Sequence, residues 1–142
     1  IINDRPDIAV LSGADGVHVG QDDLLVPTVK ELLSGHSVIG LSTHTAEQFA
    51  ESLLLDVDYA AVGPIYETRT KDTAYAAVGL DAIVSARASV GPLPIVAIGG
   101  ITLENASDVL AAGASSVSVI GDVFSGGDPT QRTRAYLERL SV

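Results

Sequence analysis

Short apolar runs rich in β-branched residues alternate along this chain with stretches of helical spacing. Most runs are continuously apolar, which is typical of strands buried on both faces of a parallel sheet. Because strand and helix alternate strictly, the pattern predicts a sheet built from right-handed βαβ units. The six predicted strands are residues 1–2, 16–19, 38–41, 59–62, 94–98 and 116–120.

Helix start and stop signals separate these strands. Proline early in a helix, capping residues before it and glycine after it are the signals used. Thr45-Ala46-Glu47-Gln48 is a capping-box pattern. Six helices are predicted. The first begins at Arg5-Pro6-Asp7 and ends at Gly13, the second covers residues 27–33 and ends at Gly35, and the third begins at Thr45. The fourth covers residues 80–88, the fifth begins at a Thr102 cap and ends at Gly113, and the sixth runs from Asp128-Pro129 to Leu140.

Polar or glycine-rich clusters follow every predicted strand. A (β/α)₈ barrel gathers all its βα loops at one face, whereas an open doubly wound sheet uses mainly the loops at its switch point. Because all six loops carry polar or glycine-rich clusters, the pattern favours an α/β fold of the TIM-barrel type, with the open six-stranded sheet as the alternative. A barrel has eight strands in about 250 residues. We expect residues 1–142 to be the C-terminal part of one barrel domain, with about six of eight units present.

Composition limits the kinds of partner. The formal charge is −10, and eight Lys and Arg with no basic run predict no nucleic-acid interface. No apolar run approaches the roughly 18 residues of a membrane span, so no membrane partner and a cytoplasmic location are expected. Cysteine is absent, so a metal would need oxygen or imidazole ligands, which favours Mg²⁺, Mn²⁺ or Ca²⁺. The oligomeric state stays open.

Glycines end the last two predicted strands. Gly99-Gly100 follows residues 94–98, and Gly121 follows 116–120. Without Cβ atoms the backbone can approach an oxyanion and point N–H groups at it. The loops after the last two strands of a barrel commonly form a phosphate site. The pattern indicates phosphate binding, while two tight turns that need positive φ are the simpler interpretation.

Acidic residues end the first two predicted strands. Asp4 follows one strand, and Asp22-Asp23 follow the next. Carboxylates from adjacent strand ends, together with substrate phosphates and water, suit Mg²⁺. The alternative is local structure, in which Asp22 or Asp23 caps a helix and Asp4 pairs with Arg5.

The longest connection carries hydroxyl and cationic groups close together. Thr68-Arg69-Thr70-Lys71 suits phosphate oxygens, although a solvated loop tip is the alternative. Among the histidines, His18 is interpreted as a hydrogen-bonded core residue, His36 as exposed, and His44 as able to reach the site. Their spacing is not that of a metal site.

These motifs together resemble the thiamine-phosphate synthase family in order and spacing. The likeness covers essentially the whole chain. It is carried by Ile2-Asn3-Asp4-Arg5, by residues 13–23 (Gly-Ala-Asp-Gly-Val-His-Val-Gly-Gln-Asp-Asp), by Gly40-Leu41-Ser42-Thr43-His44, by Gly63-Pro64-Ile65-Tyr66, by Thr68-Arg69-Thr70-Lys71 and by Val96-Ala97-Ile98-Gly99-Gly100-Ile101.

The resemblance implies a barrel enzyme that couples hydroxymethylpyrimidine diphosphate to hydroxyethylthiazole phosphate, with Mg²⁺ as cofactor. Asp4 and Asp23 would hold the metal. Ser42 and Lys71 are the expected catalytic residues, and they would contact the diphosphate with Asn3. The residues expected at the thiazole phosphate are Thr68, Arg69, Thr70, Gly100, Ile120 and Gly121.

Two departures from the family pattern qualify the resemblance. Gly121 stands where the family usually has Ser, and Asp122 follows it, so a hydroxyl is lost and an anion is gained. The family's Gln-Leu-Arg-x-Lys segment would lie upstream of Ile1, so we expect the isolated chain to be inactive. A thiazole tautomerase of the same superfamily and an inactive phosphate-binding relic are the alternatives.

Overall fold

Six parallel strands, hydrogen-bonded in sequential order, form one sheet. The computed structural model describes residues 1–33, 37–68, 70, 75–90 and 92–140. The strands are β1 Ile2–Asn3, β2 Gly16–Val19, β3 Val38–Thr43, β4 Tyr59–Val62, β5 Ile95–Ile98 and β6 Ser116–Ser118. A doubly wound sheet would reverse its strand order at a switch point. The unbroken order from β1 to β6 and the curl of the sheet confirm the predicted barrel type.

Seven helices lie in the described ranges. They are α1 Pro6–Ser12, α2 Val26–Leu33, α3 Ala46–Ser52, α4 Gly79–Val90, α5 Ala106–Ala111, α6 Gly121–Phe124 and α7 Pro129–Leu140. The short α6 is not signalled by the sequence, because four residues are too few for a periodic pattern. None of the described helices is long and apolar enough to cross a membrane.

Several of the predicted helix ends are present as expected. Gly13 ends α1 in the left-handed conformation, with φ of 64°. Thr45 caps α3 by accepting a hydrogen bond from the Gln48 backbone N–H. The predicted stop at Gly35 and the neighbouring His36 lie outside the described residues.

The predicted cap at Thr102 is wrong. Helix α5 begins at Ala106, after a turn that the Asn105 side chain closes by accepting from the Thr102 backbone N–H at 2.9 Å. The Ala106 N–H donates to the Thr102 carbonyl at 2.9 Å. Thr and Asn are both frequent capping residues, so the sequence alone does not indicate which of the two precedes the helix.

Only one face of the sheet is fully buried. The face packed against the helices is apolar and buried, and it is formed by Val17, Val19, Ile39, Leu41, Ala60, Val62, Ile95 and Ala97. The opposite face lines the inside of the curl and is here called the concave face. It is partly exposed and more polar, and includes Asn3, His18, Ser42, Tyr59, Ser116 and Ser118. The apolar runs predict burial on both faces of the sheet. The structure confirms this for the face that packs against the helices and not for the concave face.

A partly buried carboxylate ties α6 and α7 to the turn before α5. Asp122 in α6 accepts from Arg132 Nε and Nη2, each at 2.9 Å, and from the Tyr136 hydroxyl at 2.5 Å. It also accepts from the Leu103 backbone N–H at 3.1 Å. Hydrogen bonds to a carboxylate stabilise its charged form. The Arg132 guanidinium above all, with Tyr136 and Leu103, therefore holds the pKa of Asp122 below its usual value.

We expect Asp122→Asn to lower the free energy of unfolding by about 1–3 kcal/mol at neutral pH, since charge-assisted hydrogen bonds are lost. A lowered folded-state pKa gives stability that is complete above the ordinary value of 3.8. That stability disappears as pH falls through the folded-state pKa. Urea denaturation of both proteins should therefore show the difference at neutral pH and a smaller one in acid. The exposed Asp15→Asn is the control, expected within about 0.5 kcal/mol of wild type. An effect of Asp122→Asn that grew in acid would contradict the assignment.

Candidate active site at the carboxyl ends of the strands

The loop after β4 lies directly on the loop after β5. The Ile65 N–H donates to the Ile98 carbonyl at 2.9 Å, and the Tyr66 N–H donates to the Gly99 carbonyl at 3.0 Å. The far end of the same connection returns to its start, where the Val78 N–H donates to the Pro64 carbonyl at 2.8 Å. These backbone hydrogen bonds hold residues 63–68 at the carboxyl edge of the sheet, beside the paired glycines.

Close backbone approach explains why glycine occupies positions 99 and 100. Their φ angles are 99° and 63°, in the region that L side chains rarely adopt. A Cβ atom at Gly100 would lie 2.5 Å from the Glu67 carbonyl oxygen and 2.7 Å from Tyr66 Cβ. Both glycines are therefore needed for the turn and for the contact with the β4 loop. This geometry accounts for them without a ligand, and their role in phosphate binding stays a prediction.

The β4 loop also reaches the loop after β6. A Cβ atom at Gly121 would lie 3.3 Å from Thr70 Oγ1, so the two loops are near neighbours. The Thr70 N–H donates to Thr68 Oγ1 at 3.3 Å. Ile120, just before Gly121, is exposed. The residues expected at the thiazole phosphate therefore lie on three neighbouring loops. Two further predicted site residues, Arg69 and Lys71, lie outside the described residues.

The charge of Asp122 is paired. Its carboxylate accepts the hydrogen bonds from α7 and Leu103 described above, and Arg132 forms an ion pair with it at 2.9 Å. The sequence suggests an added anion beside Gly121, but the structure places a neutralising guanidinium against that anion. Asp122 thus supports the loop that carries Gly121.

Asp4 and Asp23 lie at the ends of two paired strands. Asn3 is in register with His18, and the Asp4 N–H donates to the His18 carbonyl at 2.8 Å. Asp23 Oδ2 accepts from the Gly20 N–H at 2.7 Å, which closes the turn after β2. Arg5, the alternative partner suggested for Asp4, forms an ion pair with Asp7 at 2.6 Å.

Two carboxylates from adjacent strand ends form a donor set that suits a hard cation with additional oxygen ligands. Within the described ranges, no group of three or more His, Asp or Glu side chains could hold a metal by itself. A cation bound here would therefore need oxygen atoms from a ligand or from water. Phosphate oxygens of a ligand are of the required type.

Ser42 is held from two sides on the concave face. Its Oγ lies 2.8 Å from His18 Nε2, and its carbonyl accepts from Gln21 Nε2 at 2.6 Å. The other imidazole nitrogen, Nδ1, lies 2.9 Å from the Tyr59 hydroxyl. The interpretation of His18 as hydrogen-bonded holds, although its side chain is half-buried rather than in the apolar core. Sequence reasoning missed Gln21 and Tyr59, which cross-strand register could have indicated.

His44 braces the far end of the β4 connection. Its Nδ1 lies 2.6 Å from the Gly63 carbonyl oxygen, and its ring stacks on Tyr75 with centroids 3.9 Å apart. The Gln48 side chain accepts from the His44 backbone N–H at 2.8 Å. His44 is therefore at the edge of the site, where it contacts both Gly63 and Tyr75. Tyr75 carries no sequence signal that distinguishes it from an ordinary loop aromatic.

Comparison with known proteins agrees with this geometry. The family model described as thiamine monophosphate synthase matches residues 1–123. The thiamine-phosphate synthase of Chloroflexus aurantiacus is 42% identical over 142 residues, which are 100% of this chain and 65% of that protein. The corresponding protein of Thermus thermophilus is 45% identical over 139 residues, covering 98% of this chain and 66% of the relative.

A solved structure gives the same result. Thiamine phosphate pyrophosphorylase from Pyrococcus furiosus superposes with a TM-score of 0.85 at 31% identity, covering 98% of this chain and 67% of that one. The chain thus spans just under two thirds of the length of the Chloroflexus relative. Sequence, fold and the order of the strand-end motifs agree, and the chain belongs to the thiamine monophosphate synthase family.

Proposed function

We propose that the protein joins hydroxymethylpyrimidine diphosphate to hydroxyethylthiazole phosphate, forming thiamine phosphate and pyrophosphate. The observation that carries the proposal is the meeting of three loops, which brings Thr68, Thr70, Gly100 and Gly121 together at the carboxyl edge. The names of the relatives over the whole chain support it. The test is formation of thiamine phosphate from the two substrates and Mg²⁺ by the intact protein, which here means residues 1–142 together with any segment that precedes them. Absence of the product under those conditions would refute the proposal.

The two halves of the edge suit two different phosphorylated groups. On the side of β1 to β3, Asp4 and Asp23 offer carboxylates, with Asn3 and Ser42 nearby on the concave face. On the side of β4 to β6, hydroxyls and glycine backbone lie where an anion could approach N–H groups. We assign the first side to the diphosphate with its metal, and the second to the thiazole phosphate.

The proposed reaction breaks the bond between the pyrimidine methylene and the diphosphate oxygen. The bonding electrons leave with pyrophosphate, and the thiazole nitrogen then forms the new bond to the methylene carbon. That nitrogen carries no proton, so no general base is needed. Bound Mg²⁺, held by Asp4 and Asp23, would stabilise negative charge on the leaving group. Lys71 is proposed to do the same, and Ser42 to orient the pyrimidine diphosphate.

Loss of either metal-binding carboxylate should change the Mg²⁺ requirement. We expect Asp4→Asn and Asp23→Asn each to raise the Mg²⁺ concentration needed for half-maximal coupling by about tenfold or more, because each removes a charge from a hard-cation site. The double variant should be little worse than either single one, since both carboxylates would serve one ion. The measurement is a Mg²⁺ titration of coupling at saturating substrates in the intact protein.

The control for this cycle is Asp15→Asn, which removes an exposed carboxylate on the amino-terminal side of β2. Its Mg²⁺ dependence should match wild type. Asp23 also closes a turn, so thermal unfolding should be measured alongside; a turn role alone changes stability by about 1 kcal/mol and leaves the Mg²⁺ requirement as it was. Wild-type Mg²⁺ dependence in both Asn variants would end the metal assignment.

A side chain at position 100 should affect one substrate more than the other. We expect Gly100→Val to weaken thiazole phosphate binding by more than about tenfold and diphosphate binding by less than about threefold. The branched side chain would displace Tyr66 and Glu67 in the β4 loop. Calorimetric titration of each substrate separately measures the two affinities.

Gly13 provides a matched control for backbone strain. Its φ of 64° is nearly that of Gly100, and no atom lies within 4 Å of a Cβ built there. Gly13→Val should therefore cost stability through the same left-handed strain without changing either affinity. If Gly100→Val reduced both affinities equally, the mutation would be damaging the fold rather than one subsite.

A further inference from the structure

A chain of three side chains crosses the concave face from β4 to β2 and back to β3. The Tyr59 hydroxyl lies 2.9 Å from His18 Nδ1, and His18 Nε2 lies 2.8 Å from Ser42 Oγ. The imidazole and phenol rings are stacked, with centroids 5.4 Å apart. Ser42 is a predicted catalytic residue, whereas the mechanism above gives no part to the other two side chains.

Gly40 makes this contact possible. It lies in β3 between its register partners His18 in β2 and Tyr59 in β4. A Cβ atom at Gly40 would overlap the Tyr59 ring and lie 2.5 Å from His18 Nδ1. The two side chains therefore meet across the bare backbone of the strand between them. They come from the strands on either side of Ser42, so the serine hydroxyl is held by the sheet and not by a loop.

For a neutral His18 imidazole, hydrogen bonding allows two arrangements of protons along the chain. A neutral imidazole has one N–H donor and one acceptor nitrogen. In the first arrangement Tyr59 donates to Nδ1 and Nε2–H donates to the serine oxygen. In the second, Ser42 donates to Nε2 and Nδ1–H donates to the phenol oxygen. Only the first leaves the serine hydrogen available to a ligand.

Tyr59 favours the first arrangement. A phenol, with a reference pKa of about 10, is a stronger hydrogen-bond donor than an aliphatic alcohol, and its oxygen lone pairs are delocalised into the ring, which weakens it as an acceptor. Burial raises the pKa of Tyr59 further, so its hydroxyl stays protonated. A serine oxygen is the better acceptor of the two, and it lies at the imidazole nitrogen that the first arrangement makes a donor.

We propose that Tyr59 is a positioning residue that holds His18 in its Nε2–H form, so that Ser42 accepts from His18 and turns its own hydrogen toward the ligand on the concave face. Ser42 then acts as a hydrogen-bond donor, and the group it contacts must be an acceptor, such as an unprotonated ring nitrogen or an oxygen. The identity of that ligand as the pyrimidine diphosphate rests on the proposed function. The proton arrangement does not.

The direct test is the tautomer of His18, read by long-range ¹H–¹⁵N NMR of the intact protein at neutral pH without substrates. We expect Nε2 to carry the proton and Nδ1 to be unprotonated. Tyr59→Phe should reduce the Nε2–H fraction, because the donor to Nδ1 is gone. Tyr136→Phe, which removes a buried phenol hydroxyl from Asp122, should leave the His18 spectrum unchanged. A wild-type His18 protonated mainly on Nδ1 would overturn the proposal.

A double-mutant cycle tests whether Tyr59 acts through Ser42. We expect Tyr59→Phe to reduce kcat/KM for the pyrimidine diphosphate by about tenfold in the wild-type background and by less than about twofold in Ser42→Ala. A loss of equal size in both backgrounds would show a merely structural role and would also overturn the proposal. If the intact protein makes no thiamine phosphate, the proposed function fails, and the NMR result alone then decides the proton arrangement.

Discussion

Alternation of side chains along parallel strands determines where everything else in this chain can be. In each strand the residues of one parity meet the helices, and those of the other parity line the inside of the curl. Because neighbouring strands are in register, residues of one parity form continuous rows across the sheet. The apolar rows pack against the helices, and the more polar rows carry His18, Ser42 and Tyr59. A shift of one residue in any pairing would exchange the two.

The loops at the carboxyl edge depend on one another more than on the strands that precede them. Residues 63–68 are held by carbonyl groups of β5 and of Gly99, and the space that they occupy exists because Gly100 has no side chain. The loop after β6 is supported from behind by Asp122 and its contacts with α7. Each loop on the side proposed for the thiazole phosphate is thus shaped by a neighbouring loop. This explains why the residues of that side come from the loops after three different strands.

Much of this arrangement can be predicted from the sequence, because strands, caps and glycines have local signatures. The predicted bounds of all six strands lie within two residues of the observed ones, and Gly13, Thr45 and Asp128 mark helix ends as expected. The predicted cap at Thr102 is wrong because the helix begins three positions later, directly after Asn105, which is also a residue type that is frequent at helix starts. Tyr59 and Gln21 were missed for a different reason. Tyr59 in β4 and Gln21 in the turn after β2 contact residues that are distant in the sequence, and no local pattern encodes such contacts.

The dependence of the β4 loop on β5 has a consequence for the order in which the chain acquires its function. About thirty residues separate Ile65 from Ile98 and Gly99, whose carbonyls it and Tyr66 require. Contacts across such a distance form after local turns and helices, since a large loop must first be closed. The side proposed for the thiazole phosphate therefore cannot form when β4 alone has been synthesised. It also requires β5, and it requires β6 before Gly121 can lie beside Thr70. A nascent or partly unfolded chain with only β1 to β4 in place would therefore lack the arrangement of three loops that we propose for the thiazole phosphate.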